Sequence, residues 1–229
     1  MLTGTAFVTG GTGALGVAVT EHLLSIGWRV VVPFIAAEEA ARLADHDRLE
    51  KIRCNVAEPA ELAEAVALAA AAPNAPLTAL VNLVGGFESG PRTHEADAAA
   101  IDRQLDLNVR TTYAVLRTGL PHLIANGGGS VVSMSSGAAL KPFPGGTAYS
   151  TSKAAVLALA ESIAVEYKAD GIRSNALLPG VIDTPANRAA MPNSDRANWV
   201  APAAIAKVIA FLLSDDSAPI SGAAIPLGL

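Results

Sequence analysis

The chain has 229 residues, 51% of them hydrophobic, which is enough for one well-buried α/β domain spanning residues 1–229 without a second. Charged residues make up 16%, the net charge is -5 and the pI is about 5.3, so a basic surface for nucleic acid or an anionic membrane is excluded. The first ten residues lack a basic stretch followed by an apolar core, and the most apolar window, "LAEAVALAAAAP", contains Glu64 and stops at Pro73, so neither an export signal nor a membrane span is expected. Cys54 is the only cysteine and cannot form an internal disulfide, which points to a reducing cytoplasm.

Short β-branched runs then alternate with helical stretches. "TAFVT" reads as a strand, residues 14–25 as a helix, "RVVVPF" as a strand, residues 37–45 as a helix and "KIRCNV" as a third strand. A helix over about 58–71 leads to the strand "LTALVNLV", and helical sequence over about 97–124 leads to "GSVVSMSS". After a helix carrying Tyr149 and Lys153 come "IRSNALLP", a helix over about 202–213 and "GAAIPL". This alternation implies right-handed βαβ crossovers and seven parallel strands buried on both faces. The expected fold is a single doubly wound, Rossmann-type α/β domain with helices on both faces of the sheet. Ligands in such sheets bind beyond the carboxyl ends of the strands, near the point where strand order reverses.

Two motifs fall on that edge. "TGGTGALG", residues 9–16, lies where the first strand hands over to the first helix, with Gly10, Gly13 and Gly16 three residues apart. Glycines there permit a tight turn and let backbone amides and a helix N-terminus reach a pyrophosphate, so a dinucleotide is expected. In "TAYSTSKAAV", Tyr149 precedes Lys153 by four residues, which puts both on one helix face. With three Tyr and five Lys in the chain, such a spacing arises by chance about 7% of the time, so the pair alone carries little. An ammonium about 5 Å from a phenol at an effective dielectric near 20 is worth about 3 kcal/mol, much of what would bring the phenol from about 10 to about 7.

Over essentially its whole length the sequence resembles the short-chain dehydrogenase/reductase family. "TGGTGALG" resembles the family's glycine turn, "LVNLVGG" its fourth-strand motif, "LDLNVRTTY" the helix bearing its Asn and "VVSMSS" the strand bearing its Ser. "YSTSK" carries its Tyr and Lys, "IRSNALLPGVIDTP" resembles the stretch that closes over nicotinamide, and "ISGAAIPLGL" its last strand. The resemblance implies that Tyr149 is the general acid/base, that Lys153 tunes it and bonds the nicotinamide ribose, that Asn108 holds a relay water and that Ser136 donates to the substrate oxygen. It implies dinucleotide contacts from Gly10, Thr12, Gly13, Ala14, Leu15 and Gly16, then from Phe34, Asn55, Val56, Asn82 and Gly85. Tyr149, Lys153, Pro179, Gly180, Ile182 and Thr184 complete that set. Substrate contacts fall on Gly86, Phe87, Ser136, Met191 and Trp199, and residues 185–199 are expected to form a mobile lid.

Phe34 and Ile35 follow the second strand where an acid would select NAD or an arginine NADP, and Thr12 adds no basic side chain, so the cofactor is NAD or NADP. Arg42 lies far along the next helix. His22, His46, His94 and His122 have no metal-ligand spacing, and no metal is expected. The helix "AAVLALAESIAVEY" is apolar on more than one face, which implies burial in a homo-oligomer, a dimer or tetramer. Three functions stay open: reduction of a small-molecule carbonyl or oxidation of its alcohol, reduction of a quinonoid pterin, since residues 181–199 and 84–87 resemble dihydropteridine reductase, and a dinucleotide-binding regulator without turnover.

Overall fold

The computed structural model describes residues 4–228; the first three residues and Leu229, with what was read from them, lie outside it. Seven parallel strands form one sheet in the order β3-β2-β1-β4-β5-β6-β7. They are β1 (Thr5–Thr9), β2 (Arg29–Phe34), β3 (Leu49–Arg53), β4 (Leu77–Asn82), β5 (Gly129–Met134), β6 (Ile172–Pro179) and β7 (Ala224–Leu227). The order reverses between β1 and β4, whose registers pair Phe7 with Leu80 and Thr9 with Asn82. A crevice must open there, because the crossovers on either side lead to opposite edges of the sheet.

The strand pleat divides the core into two layers. Ala6, Val8, Val30, Val32, Ala79 and Val81 face α1 (Ala14–Ser25) and α8 (Pro202–Leu213), packing against Val19, Leu23, Ile205 and Ile209. Phe7, Val31, Leu80 and Val131 face α3 (Pro59–Ala70) and α5 (Thr111–Ala125), against Leu62, Val66, Leu116 and Leu120. Strands buried on both faces explain why their sequences run apolar without alternation. Among the described residues no helix is long and apolar enough to cross a membrane.

Several elements differ from the sequence expectation. The helix expected over 37–45 is the single turn α2 (Ala37–Ala40), because only Leu43 in that stretch finds a core while Lys51 draws Leu43 O and the Asp45 carboxylate toward β3. The long helix expected over 97–124 is interrupted: α4 (Ala100–Gln104) passes into a π-helical turn, Leu105–Arg110, before α5. Three strands end sooner than their apolar runs, leaving Cys54 to Val56, Leu83 and Val84, and Ser135 and Ser136 beyond β3, β4 and β5. Within residues 185–199, Pro185 opens a short helix, α7 (Pro185–Ala190), with Thr184 accepting from the Asn187 amide at 3.2 Å as its cap.

Candidate active site

Beyond the carboxyl ends of β1 and β4 lie two cavities that meet at Gly10. The smaller, about 470 Å³, is lined by Thr12, Phe34, Ile35, Asn55, Val56 and Val84 among others; the larger, about 980 Å³, runs from the glycine turn to Tyr149 and on to Met191. Ala14, Leu15, Gly85, Gly86, Phe87, Pro179, Gly180, Ile182 and Thr184 also line the larger one. Two expected contacts fall elsewhere. Asn82 is buried and donates to Ser133 Oγ at 3.2 Å, tying β4 to β5, and Trp199 lies against Arg196, 5.5 Å from guanidinium to ring, in the lining of neither cavity.

The turn after β1 has the form a dinucleotide requires. Gly10 has φ +67°, and a side chain on it would press on Leu83 and Val84 at 3.0 Å. A Cβ on Gly16 would lie 2.0 Å from Gly10 O, so Gly16 lets α1 start directly beneath the turn. Gly13 caps α1, and the first helical bond runs from Val17 N to Gly13 O at 2.8 Å, which leaves the preceding amides aimed past the helix end into the cleft. The cradle therefore fits a pyrophosphate. Arg42, set aside on sequence distance, folds back to donate to Thr12 O at 3.2 Å.

At the other end, α6 (Thr147–Glu166) presents Tyr149 and Lys153 to Ser136, which follows β5. Ser135 Oγ donates to Lys153 O at 2.7 Å, fixing the helix against the strand, and Lys153 Nζ donates to Met134 O at 3.1 Å. The ammonium stands 5.9 Å from the Tyr149 ring centroid. Ser136 Oγ accepts from Ala138 N at 3.2 Å and so caps the 3-10 turn Gly137–Ala139. Burial pushes the Tyr149 phenol above its ordinary value, opposed by hydrogen bonding from Ser136. Burial pushes Lys153 down to about 8. Desolvation therefore dominates at the phenol, and Ser136 is what opposes it.

Asn108 sits in the π-helical turn, fully buried. Its Oδ1 accepts from Gly86 N at 2.9 Å while Nδ2 donates to Gly86 O, Gln104 Oε1 and Ser152 Oγ within 3.1 Å. Ser152 Oγ in turn donates to Tyr149 O at 2.8 Å. The amide therefore binds the loop after β4 to α6. Sequence reasoning missed Ser152 and Phe143. The Phe143 ring stacks on Phe87 with centroids 6.0 Å apart, and Phe87 meets Tyr149 edge-on at 4.9 Å. The i, i+3 relation of Ser152 to Tyr149 was legible; the contact of Phe143 with Phe87, across 56 residues, was not. Among the described residues no group of three or more His, Cys, Asp or Glu side chains could hold a metal ion.

A family model described as short chain dehydrogenase matches residues 4–195. The 2-(R)-hydroxypropyl-CoM dehydrogenase of Xanthobacter autotrophicus is 33% identical, with 96% of this chain and 95% of that protein aligned. The cis-4-hydroxycyclohexanecarboxylate dehydrogenase of Sinomonas cyclohexanicum is 34% identical over 95% of this chain and 92% of its own. A solved short-chain type dehydrogenase/reductase from Mycobacterium ulcerans has a TM-score of 0.91 at 27% identity, covering 99% of this chain and 88% of that one. Matches of this extent place the chain in the short-chain dehydrogenase family of NAD(P)-dependent oxidoreductases.

Proposed function

We propose that Tyr149, Lys153, Ser136 and Asn108 carry the reaction, a hydride transfer between nicotinamide and a carbonyl or hydroxyl carbon of a small molecule. The observation that carries this reading is the convergence of Ser136, Tyr149 and Lys153 on one wall of a cavity whose far end is the glycine turn. NAD or NADP would lie with its adenosine against Phe34, Asn55 and Val56, its pyrophosphate at Gly13, Ala14 and Leu15, and its nicotinamide toward Pro179, Gly180, Ile182 and Thr184. Bound there, it supplies or accepts the hydride at the substrate carbon.

The protein's part is the proton and the charge. In reduction, Tyr149 Oη gives its proton to the oxygen that becomes a hydroxyl; in oxidation it takes that proton back. A phenol held above its ordinary value keeps its proton at neutral pH, and the cationic Lys153 beside it stabilises the phenolate left behind when that proton is given up. Ser136 donates to the same substrate oxygen and stabilises the charge that develops on it. Asn108 holds Gly86 and Gly85 against Lys153, and a relay water would join the ammonium to solvent. Substrate rests against Gly86, Phe87 and Met191. Both relatives described above are named dehydrogenases of hydroxylated substrates, which supports alcohol–carbonyl chemistry over the pterin reading.

The one domain would hold both cofactor and substrate, with residues 185–199 as its lid. Exposed Tyr113 on α5 and Val165 on α6, 56% and 79% accessible, support a homo-oligomer, a dimer or tetramer, and the single buried Cys54 suits a reducing cytoplasm. The test is a panel of ketones, secondary alcohols and quinonoid dihydropterin, followed by nicotinamide absorbance with each cofactor. Turnover of a ketone or alcohol that is lost in Tyr149→Phe supports the reading. Turnover of none of them, or activity that survives Tyr149→Phe, overturns it.

A further inference from the structure

The larger cavity carries a charge pattern that hydride transfer alone does not require. Of the side chains lining it only Lys141 and Lys153 are charged and no carboxylate is among them, in a chain of net charge -5. Lys153 is buried and bonded to Met134 O beside Tyr149, where its charge serves the phenol. Lys141 is different. It is exposed, five residues beyond Ser136 in the same connection, and its backbone amide donates to Gly137 O at 2.9 Å, which fixes where the side chain starts. Among the described residues no ion pair engages its ammonium. Of the acids in the loops flanking the cleft, Glu88 and Asp97 are taken by Arg103, Glu95 by Arg92 and Asp183 by Arg188, while Asp195 accepts from Ala197 N and lines neither cavity.

The rest of that wall is apolar. Phe143 stacks on Phe87, Phe87 meets Tyr149 edge-on, and Ala138 and Met191 line the same space. The pyrophosphate cradle lies at the other end of the cleft, at the start of α1, so Lys141 is left for whatever enters from the substrate side. A cation not engaged by the chemistry, in a carboxylate-free and largely apolar cleft, concentrates anions and orients them by their charged end.

Resting on the hydride-transfer reading, we propose that the substrate is an organic anion, with its carbonyl or hydroxyl at Ser136 and Tyr149, an apolar or aromatic body against Phe87 and Phe143, and a carboxylate or sulfonate paired with Lys141. The anionic group takes no part in the chemistry; it fixes which end of the molecule meets Tyr149. Phe143 and Lys141 are then specificity residues contributed by the connection between β5 and α6.

The test compares 4-acetylbenzoate with its uncharged isostere 4-acetylbenzamide in the wild-type, Lys141→Met and Lys141→Glu proteins, each with NADH and NADPH. The acid is the preferred substrate of the wild type. The ratio of kcat/KM for acid over amide falls about fivefold in Lys141→Met, as for a partly exposed ion pair, and further in Lys141→Glu, with the loss in KM. The wild-type preference also shrinks when salt is raised. An unchanged ratio across the three proteins overturns the proposal, and so does a loss of affinity confined to NAD(P)H, which would assign Lys141 to the cofactor. Should neither ketone be reduced, calorimetry of 4-acetylbenzoate binding separates the two ideas. Binding weakened by Lys141→Glu keeps the anion site and removes only the ketone-reductase reading; equal binding removes the anion site.

Discussion

Exchanging one nitrogen for oxygen at Asn108 probes the electrostatics of the site directly. A Cβ on Gly85 would lie 2.6 Å from Asn108 Oδ1 and 2.9 Å from Lys153 Nζ, so those two atoms are at most about 5.5 Å apart. Asn108→Asp puts a carboxylate within that distance of the ammonium. With an effective dielectric near 20, the attraction at about 5.5 Å is about 3 kcal/mol, or roughly two pKa units. The aspartate keeps the acceptor for Gly86 N but loses the donors to Gly86 O, Gln104 and Ser152, and its burial disfavours the charge. Lys153 is the cation that holds it ionised. The Lys153 ammonium, at about 8 in the wild type, should therefore titrate near 10 in the variant.

Carbon-13 NMR of lysine Cε, with the Lys153 resonance assigned by its loss in Lys153→Met, measures the shift. Linkage gives an independent check. In the wild type the folded value lies below that of an unfolded lysine, about 10.4, so the unfolded chain binds more protons between the two and stability rises with pH across that window. The deficit is complete below about 8 and gone above about 10.4. In Asn108→Asp the rise should flatten. A Lys153 that still titrates near 8 in the variant would refute the reasoning, because the carboxylate would then be too distant or too well solvated to act.

Lys153→Met should raise the melting temperature at pH 7 while abolishing turnover, and its advantage over the wild type should vanish as pH approaches about 10.4; a lower melting temperature at pH 7 would count against the burial argument. Ser136→Ala should lower kcat on a ketone about 10²- to 10³-fold, with Tyr149→Phe comparably severe. Near-full activity of Ser136→Ala on its best substrate, alongside an inactive Tyr149→Phe, would favour pterin reduction. Gly13→Val should weaken dinucleotide binding in calorimetry with little change in melting temperature, whereas Gly16→Val should destabilise the fold; equal melting temperatures would contradict this. Hydrogen exchange at residues 185–199 should slow on adding cofactor, most beyond α7, since Val200 N already donates to Val181 O at 2.8 Å; exchange already slow and unchanged by cofactor would rule out a lid.

The alternation of strands and helices was legible because each strand buried on both faces leaves an apolar run that little else produces. The strand ends were not. Cys54 to Val56, Leu83 with Val84, and Ser135 with Ser136 are as apolar or small as the residues before them, yet they leave the ladder and turn into the cleft. Burial against a ligand and burial against a core select similar side chains, so the pattern fails at the residues nearest the site. The π-helical turn is illegible for another reason: one extra residue per turn over Leu105–Arg110 rotates the apolar face without altering composition. The shared helix face of Tyr149 and Lys153 was legible in their spacing, but the burial of the phenol was not, because Coulomb's law at a guessed distance omits the desolvation that only the fold reveals.

The glycine turn separates motif from mechanism most clearly. Read as a pattern, Gly10, Gly13 and Gly16 are equivalent, each a place where backbone approaches pyrophosphate. In the structure they do three different things. Gly10 adopts a left-handed φ and packs on the loop after β4, so it couples the cofactor turn to the loop that carries Gly85 to Lys153 Nζ. Gly16 is required by the carbonyl of Gly10, 2.0 Å from where its Cβ would be, and a side chain there would push α1 off the turn before any ligand arrived. Gly13 alone has an open side, its nearest neighbour to a Cβ being Gly10 O at 3.3 Å, and it alone can govern access to the helix N-terminus without governing the fold. A loss of binding on substituting Gly16 therefore reports folding, and only the response at Gly13 reports the pyrophosphate.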